Sequence, residues 1–262
     1  MLTNQCVLET ALLSCVGGDS CKKCGICGQY EQGVIPMTKE VYGLIEEYML
    51  SCMEDSAHDK EHIYRVLFNA LEIAKEEKTV DYDVLITACL LHDIGRKEQF
   101  ADPALCHAAV GGDKAYRFLR NNGFDEGFSQ RVRHCIQTHR FRKSMQPESL
   151  EAKILFDADK LDVTGALGIA RTLMYKGDMA EPIYNVLPDG SIGDGSGEEP
   201  PSFFREYKFK LEKLYDRFYT DKGVQLAQAR RGIAAAFYES LYQEVNTGYT
   251  SGRERLRGLT DC

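Results

Sequence analysis

A chain of 262 residues, 44% of them hydrophobic, is long enough to bury one sizeable core. Its 32 basic against 40 acidic residues give a net charge of -8, so it presents no global field for a nucleic-acid polymer or an anionic membrane, and any phosphate must be met locally. No stretch approaches the roughly 20 apolar residues of a membrane span, so a soluble chain with no membrane partner is expected.

Residues 1–35 read as a cysteine-rich extension. Within it, the apolar stretch 7–15 lacks a preceding basic region and is interrupted by Glu9, which argues against an export signal. Cys15, Cys21, Cys24 and Cys27 offer thiolates enough for a structural zinc or an iron-sulfur cluster; reduced or reactive thiols are the competing reading. The cysteines at 52, 89, 106, 135 and 262 stand singly, the pattern of reduced thiols, so a cytoplasmic location is expected.

From Met37 the pattern turns helical. Segments 37–55 and 60–78 carry apolar residues at three- and four-residue spacing, among them Val41, Leu44, Ile45 and Tyr48, then Ile63, Val66, Leu67, Ala70 and Ile73. A third helix is expected from a cap at Asp81 to His92. Asp102-Pro103 and Asn122-Gly123 have the form of a start and a stop, predicting a helix of about five turns that carries His107. Asp125 opens another, in which His139 shares a face with Val132, Cys135 and Ile136 while His134 points about 140° away. One long helical region is expected over 147–175, a Gly- and Pro-rich loop over 177–202, helix again from 203 to about 245, and a polar tail over 251–262. The Phe and Tyr residues of 203–219 recur at helical spacing and read as core. With no strand run and no internal repeat, the class is all-α, one domain over 36–250.

The chemistry-bearing pattern lies inside this helical frame. His92-Asp93 closes the apolar run 84–91, with His62 before it and Asp159 after it, each in an apolar or amphipathic segment. A buried carboxylate without a charged or metal partner is costly, and a paired imidazole and carboxylate are natural ligands. The fragments His62-Ile-Tyr-Arg65-Val66, Leu90-Leu-His92-Asp93-Ile-Gly95 and Asp157-Ala-Asp159-Lys160-Leu-Asp162 together resemble the HD-domain superfamily of metal-dependent phosphohydrolases, in order and spacing over roughly residues 40–245.

The resemblance implies an HD-type helical bundle with His62, His92, Asp93 and Asp159 as metal ligands. That mixed nitrogen and oxygen set suits divalent Mn, Fe, Co, Ni or Zn, with Mg a further option. It also implies hydrolysis of a phosphate ester, a nucleotide or other small phosphorylated metabolite, by a metal-activated water. Arg65 and Lys160, beside ligands, and His58 or Asp59, ahead of His62, become candidate catalytic groups; pairing of Arg65 with a helix-end acid is its structural alternative. Arg96, His107 and His139 become candidate substrate contacts, the two histidines standing where the superfamily often places extra ones that hold a second metal or touch phosphate. The chain lacks the Gly-Tyr-Pro signature of the cyclic-dinucleotide-degrading branch, so one catalytic metal is favoured and a second left open. Two other functions stay in play: a non-catalytic nucleotide-binding module, and a di-iron oxygenase drawing extra ligands from His107 and His139. Substrate, native metal and oligomeric state are not written in the sequence.

Overall fold

A computed structural model describes residues 35–53, 60–140 and 145–260. The cysteine-rich segment with Cys15, Cys21, Cys24 and Cys27, and the pair His58 and Asp59, lie outside the described residues. The regular elements among the described residues are helices: α1 (Lys39–Met53), α2 (Lys60–Ala74), α3 (Tyr82–Leu91), α4 (Arg96–Ala101), α5 (His107–Asn121), α6 (Glu126–Thr138), α7 (Leu150–Leu161), α8 (Gly165–Asp178), α9 (Phe203–Glu206) and α10 (Asp221–Thr260). No strand occurs among the described residues; an isolated antiparallel bridge joins Val186 to Ile192. No helix among them is long and apolar enough to cross a membrane.

The centre of the bundle is α3. Its apolar residues go all the way round, and Val84, Leu85, Ala88, Cys89, Leu90 and Leu91 are fully buried against α1, α2, α6 and α7. Each large side chain so buried contributes about 1.5–3 kcal/mol. Around it, α2 lays Ile63, Val66, Leu67, Ala70 and Ile73 into the same core. Helix starts are set by side-chain caps: Asp81 accepts from the Val84 amide, Asp125 from Phe128 and Ser149 from Ala152.

Several boundaries differ from the sequence reading. Asp102-Pro103 does not start the helix carrying His107. Asp102 caps the end of α4 and its carboxylate accepts from the Ala104 amide, so α5 begins at His107 itself. The region expected as one helix over 147–175 breaks between α7 and α8, where Gly165 takes a positive φ of 63° and its amide donates to the Tyr215 hydroxyl. The helix expected from 203 loosens into a π-turn at Tyr207–Leu211 and a 3-10 turn at Leu214–Asp216 before α10 begins. Buried Asp157 holds that new start by accepting from the amides of Tyr219 and Thr220 and from the Thr220 hydroxyl. The polar sequence at 251–260 continues α10 instead of leaving the helix at about residue 245, and the chain is non-helical from Met179 to Ser202.

Gly95, in the turn between α3 and α4, sits where a Cβ would meet the His107 carbonyl oxygen and the Gly111 amide nitrogen. Gly95→Ala is therefore expected to lower stability by about 1–3 kcal/mol through overpacking. Gly43→Ala, at a helical glycine with open space around its Cβ position, is expected to raise stability by about 0.5–1 kcal/mol. Denaturant unfolding of the two variants checks both signs.

Candidate metal centre

The ends of five helices meet at one buried point. His62 comes from the first turn of α2, His92 and Asp93 from the end of α3, His107 from the start of α5, His139 from the end of α6, and Asp159 from the last turn of α7. His92 and His139 each follow the last residue of a helix, where carbonyls lack intrahelical partners. Each ring uses that: His92 Nδ1 lies 2.8 Å from the Cys89 carbonyl and His139 Nδ1 2.6 Å from that of Ile136. His62 Nδ1 lies 2.7 Å from Asp162 Oδ2, and His107 Nδ1 lies 2.6 Å from Gln99 Oε1.

For His92, His107 and His139 the partner can only accept, so Nδ1 carries the proton and Nε2 turns a lone pair inward, whereas His62 Nδ1 lies between the Asp162 carboxylate and Arg171 Nη1, with its Nε2 turned to the same point. The inward atoms crowd together. His62 Nε2 is 3.4 Å from His92 Nε2, 3.4 Å from Asp159 Oδ1 and 3.6 Å from Asp93 Oδ2, and His92 Nε2 is 3.6 Å from that same Oδ2. On the other side of the carboxylate, Asp93 Oδ1 is 3.4 Å from His107 Nε2 and 3.7 Å from His139 Nε2, with the two nitrogens 3.3 Å apart. Two groups thus have the spacing to hold an ion, His62 with His92 and Asp159, and Asp93 with His107 and His139, and the two oxygens of Asp93 face one group each.

The donor set fits a divalent metal. Two ligands about 2.1 Å from a shared ion stand about 3.0–3.4 Å apart, close to the separations found. Lone pairs facing lone pairs at these distances repel unless a cation lies between them. Buried Asp93 Oδ1 has no hydrogen-bond partner, even though Arg96 Nε is 3.0 Å away, because the guanidinium is not aligned on it. A buried carboxylate oxygen left without a donor is costly, and a metal ion removes that cost.

Burial keeps the imidazoles neutral: it lowers His92, takes His107 down to about 2 and His139 to about 3. Burial opposes charge on Asp93 as well, but its charged surroundings, the Arg96 guanidinium among them, outweigh it and hold that carboxylate well below its usual range. Asp159 is likewise held low against burial, chiefly by Lys160, whose Nζ is 2.6 Å from Asp159 Oδ2 and 4.8 Å from the centre of the Phe156 ring.

Among the other residues singled out in the sequence, Arg65 is placed on Asp162, with Nε 2.7 Å from Oδ1 and Nη2 3.2 Å from Oδ2. This is the helix-end acid of the structural alternative, since Asp162 is the C-cap of α7. Asp162 closes the third of the quoted fragments and carries no role there. It is fully buried, orients His62, and is also paired with Arg171 of α8, whose Nη1 lies 2.8 Å from His62 Nδ1. Arg171 carried no local signal: it reaches the site because the break at Gly165 turns α8 back. Gln99 was missed for the same reason, being one polar residue on a short surface helix. His134 lies away from the cluster formed by His139, as its helical phase predicts.

The family model described as HD domain matches residues 60–164. The Bacillus subtilis (strain 168) uncharacterized protein YpgQ is 31% identical over 196 residues, covering 73% of this chain and 86% of that protein. The crystal structure of Bacillus subtilis YpgQ in complex with ADP superposes with a TM-score of 0.59 at 28% identity, covering 78% of this chain and 94% of that one. An HD-superfamily hydrolase from Bacillus thuringiensis gives a TM-score of 0.60 at 30% identity over 79% of this chain and 97% of its own.

The low affinity of the folded histidines for protons has a consequence for stability. Unfolded histidines take up protons near 6.5, whereas His107 and His139 resist protonation down to about 2 and about 3. The unfolded chain therefore binds more protons below about pH 6.5, and the metal-free protein loses stability as pH falls through that value. Thermal unfolding of chelator-treated protein should show a midpoint that drops from about pH 7 to about pH 5, a slope that the double variant His107→Ala/His139→Ala flattens. An unchanged slope in that variant contradicts the assignment.

Proposed function

The chain belongs to the HD-domain superfamily, and on that premise we propose that it is a metal-dependent phosphohydrolase acting on a nucleotide or another small phosphorylated metabolite through a metal-activated water. The observation that carries this reading is the pair of His and Asp groups with metal-holding spacing that meet at Asp93, whose buried Oδ1 has no hydrogen-bond partner. The ADP held by YpgQ supports a nucleotide as the ligand class.

His62, His92, Asp93 through Oδ2 and Asp159 would hold the catalytic ion; Asp93 through Oδ1, His107 and His139 would hold a second. An ion bound there supplies Lewis-acid polarisation of a phosphoryl oxygen and a bound water of lowered pKa. The protein's own groups do the rest. Asp162, clamped by Arg65 and Arg171, fixes the His62 ring. Lys160 and Arg96, both partly exposed beside ligand carboxylates, are positioned to neutralise substrate phosphate. His58 or Asp59 is assigned to protonate the leaving group or orient the attacking water.

The six-ligand arrangement also favours a second reading, a dinuclear iron centre for oxidative chemistry. Iron at two per chain with substrate-dependent oxygen consumption would identify it. Phosphate release without oxygen uptake identifies the hydrolase.

In a screen of nucleoside phosphates and small phosphate esters supplemented with Mn, Fe, Co, Ni, Zn or Mg, the wild type should release phosphate. His62→Ala, His92→Ala and Asp93→Ala should lose bound metal and at least about 10³-fold in kcat/KM. Asp162→Asn should weaken metal binding about 10- to 100-fold with the fold intact. Full activity of Asp93→Ala, or tight nucleotide binding with no turnover under any metal, overturns the hydrolase reading.

A further inference from the structure

His92 and His139 are oriented by carbonyls of their own helices, and His62 by a carboxylate clamped between two arginines. His107 is oriented differently. Its Nδ1 lies 2.6 Å from the amide oxygen of Gln99, a half-buried residue of α4, a helix with no buried residue of its own. The Gln99 amide also has a fixed sense. Its Nε2 donates to the Leu105 carbonyl at 3.1 Å, and a carbonyl can only accept, so the amide oxygen is the end that faces His107. An oxygen facing Nδ1 places the ring proton there and leaves Nε2 with a lone pair, 3.4 Å from Asp93 Oδ1 and 3.3 Å from His139 Nε2.

We propose that Gln99 is the positioning residue of the second metal position: by fixing the tautomer and ring orientation of His107, it sets whether Asp93 Oδ1, His107 and His139 can hold an ion, and it leaves the first position untouched. This rests on the two-position reading given above. A neutral amide polarises an imidazole less than the carboxylate behind His62 does, so the second position binds the same ion more weakly and releases it first. Gln99 reaches no ligand of the first position in the structure; its hydrogen bonds go to His107 and Leu105.

The test is metal content by elemental analysis after equilibrium dialysis against a series of free Mn concentrations, for wild type, His107→Ala, Gln99→Met and Gln99→Glu. Wild type should fill two positions of unequal affinity and His107→Ala only the tighter one. Gln99→Met removes the acceptor at similar side-chain length and should weaken the second position about 10- to 100-fold while the first fills as in wild type. Gln99→Glu keeps an acceptor for His107 and gives up the bond to Leu105, and should retain the second ion. If wild type binds one ion and His107→Ala changes nothing, the two-position reading falls and the role of Gln99 with it. If wild type binds two ions and Gln99→Met binds both as tightly, the role of Gln99 alone is wrong. Equal loss of the second ion in the Met and Glu variants also overturns it, since Gln99 would then act by holding the Leu105 segment. Loss of both ions in Gln99→Met overturns it too.

Discussion

Imidazole lone pairs and carboxylate oxygens face one another across a few ångströms of buried space, with Asp93 between them, and such a concentration of acceptors is unfavourable unless a cation shares it. Much of the bundle follows from holding those atoms there. The all-round apolar α3 buries deeply enough to deliver His92 and Asp93 to the centre, while the ends of α2, α5, α6 and α7 converge on the same point. The arrangement uses helix termini because they supply unpaired carbonyls, and those carbonyls set the ring tautomers of His92 and His139.

The charges behind the ligands differ from place to place. His62 is backed by a buried carboxylate and two arginines, Asp159 by Lys160, Asp93 by a misaligned Arg96, and His107 by a neutral amide. Such differences tune ligand basicity without changing the ligands themselves. They give the two oxygens of Asp93 unlike surroundings, which is how one carboxylate could serve two ions of unequal affinity.

The sequence made much of this legible. An apolar run too uniform for a surface helix, ending in His92-Asp93, points both to the central helix and to the middle of the buried His and Asp cluster. The 3.6-residue period placed His139 on the core side and His134 off it. What escaped was of three kinds. Asp102-Pro103 has the form of a helix start, but Asp102 is used to end α4 and to make a local turn, so α5 begins at His107. The break before Gly165 depends on Tyr215 and Arg230, side chains distant in sequence. Asp162, Arg171 and Gln99 act through other side chains, and such contacts have no period and no motif. Arg65, a candidate catalytic group from its place beside a ligand, lies with its guanidinium on Asp162, the pairing with a helix-end acid that the sequence also offers.

The most direct measurement is anomalous diffraction at the manganese edge from crystals of the Mn-loaded protein. The account predicts a strong peak bounded by His62 Nε2, His92 Nε2, Asp93 Oδ2 and Asp159 Oδ1. Crystals of metal-loaded protein that place their ion elsewhere, with no peak among those four atoms, would contradict it.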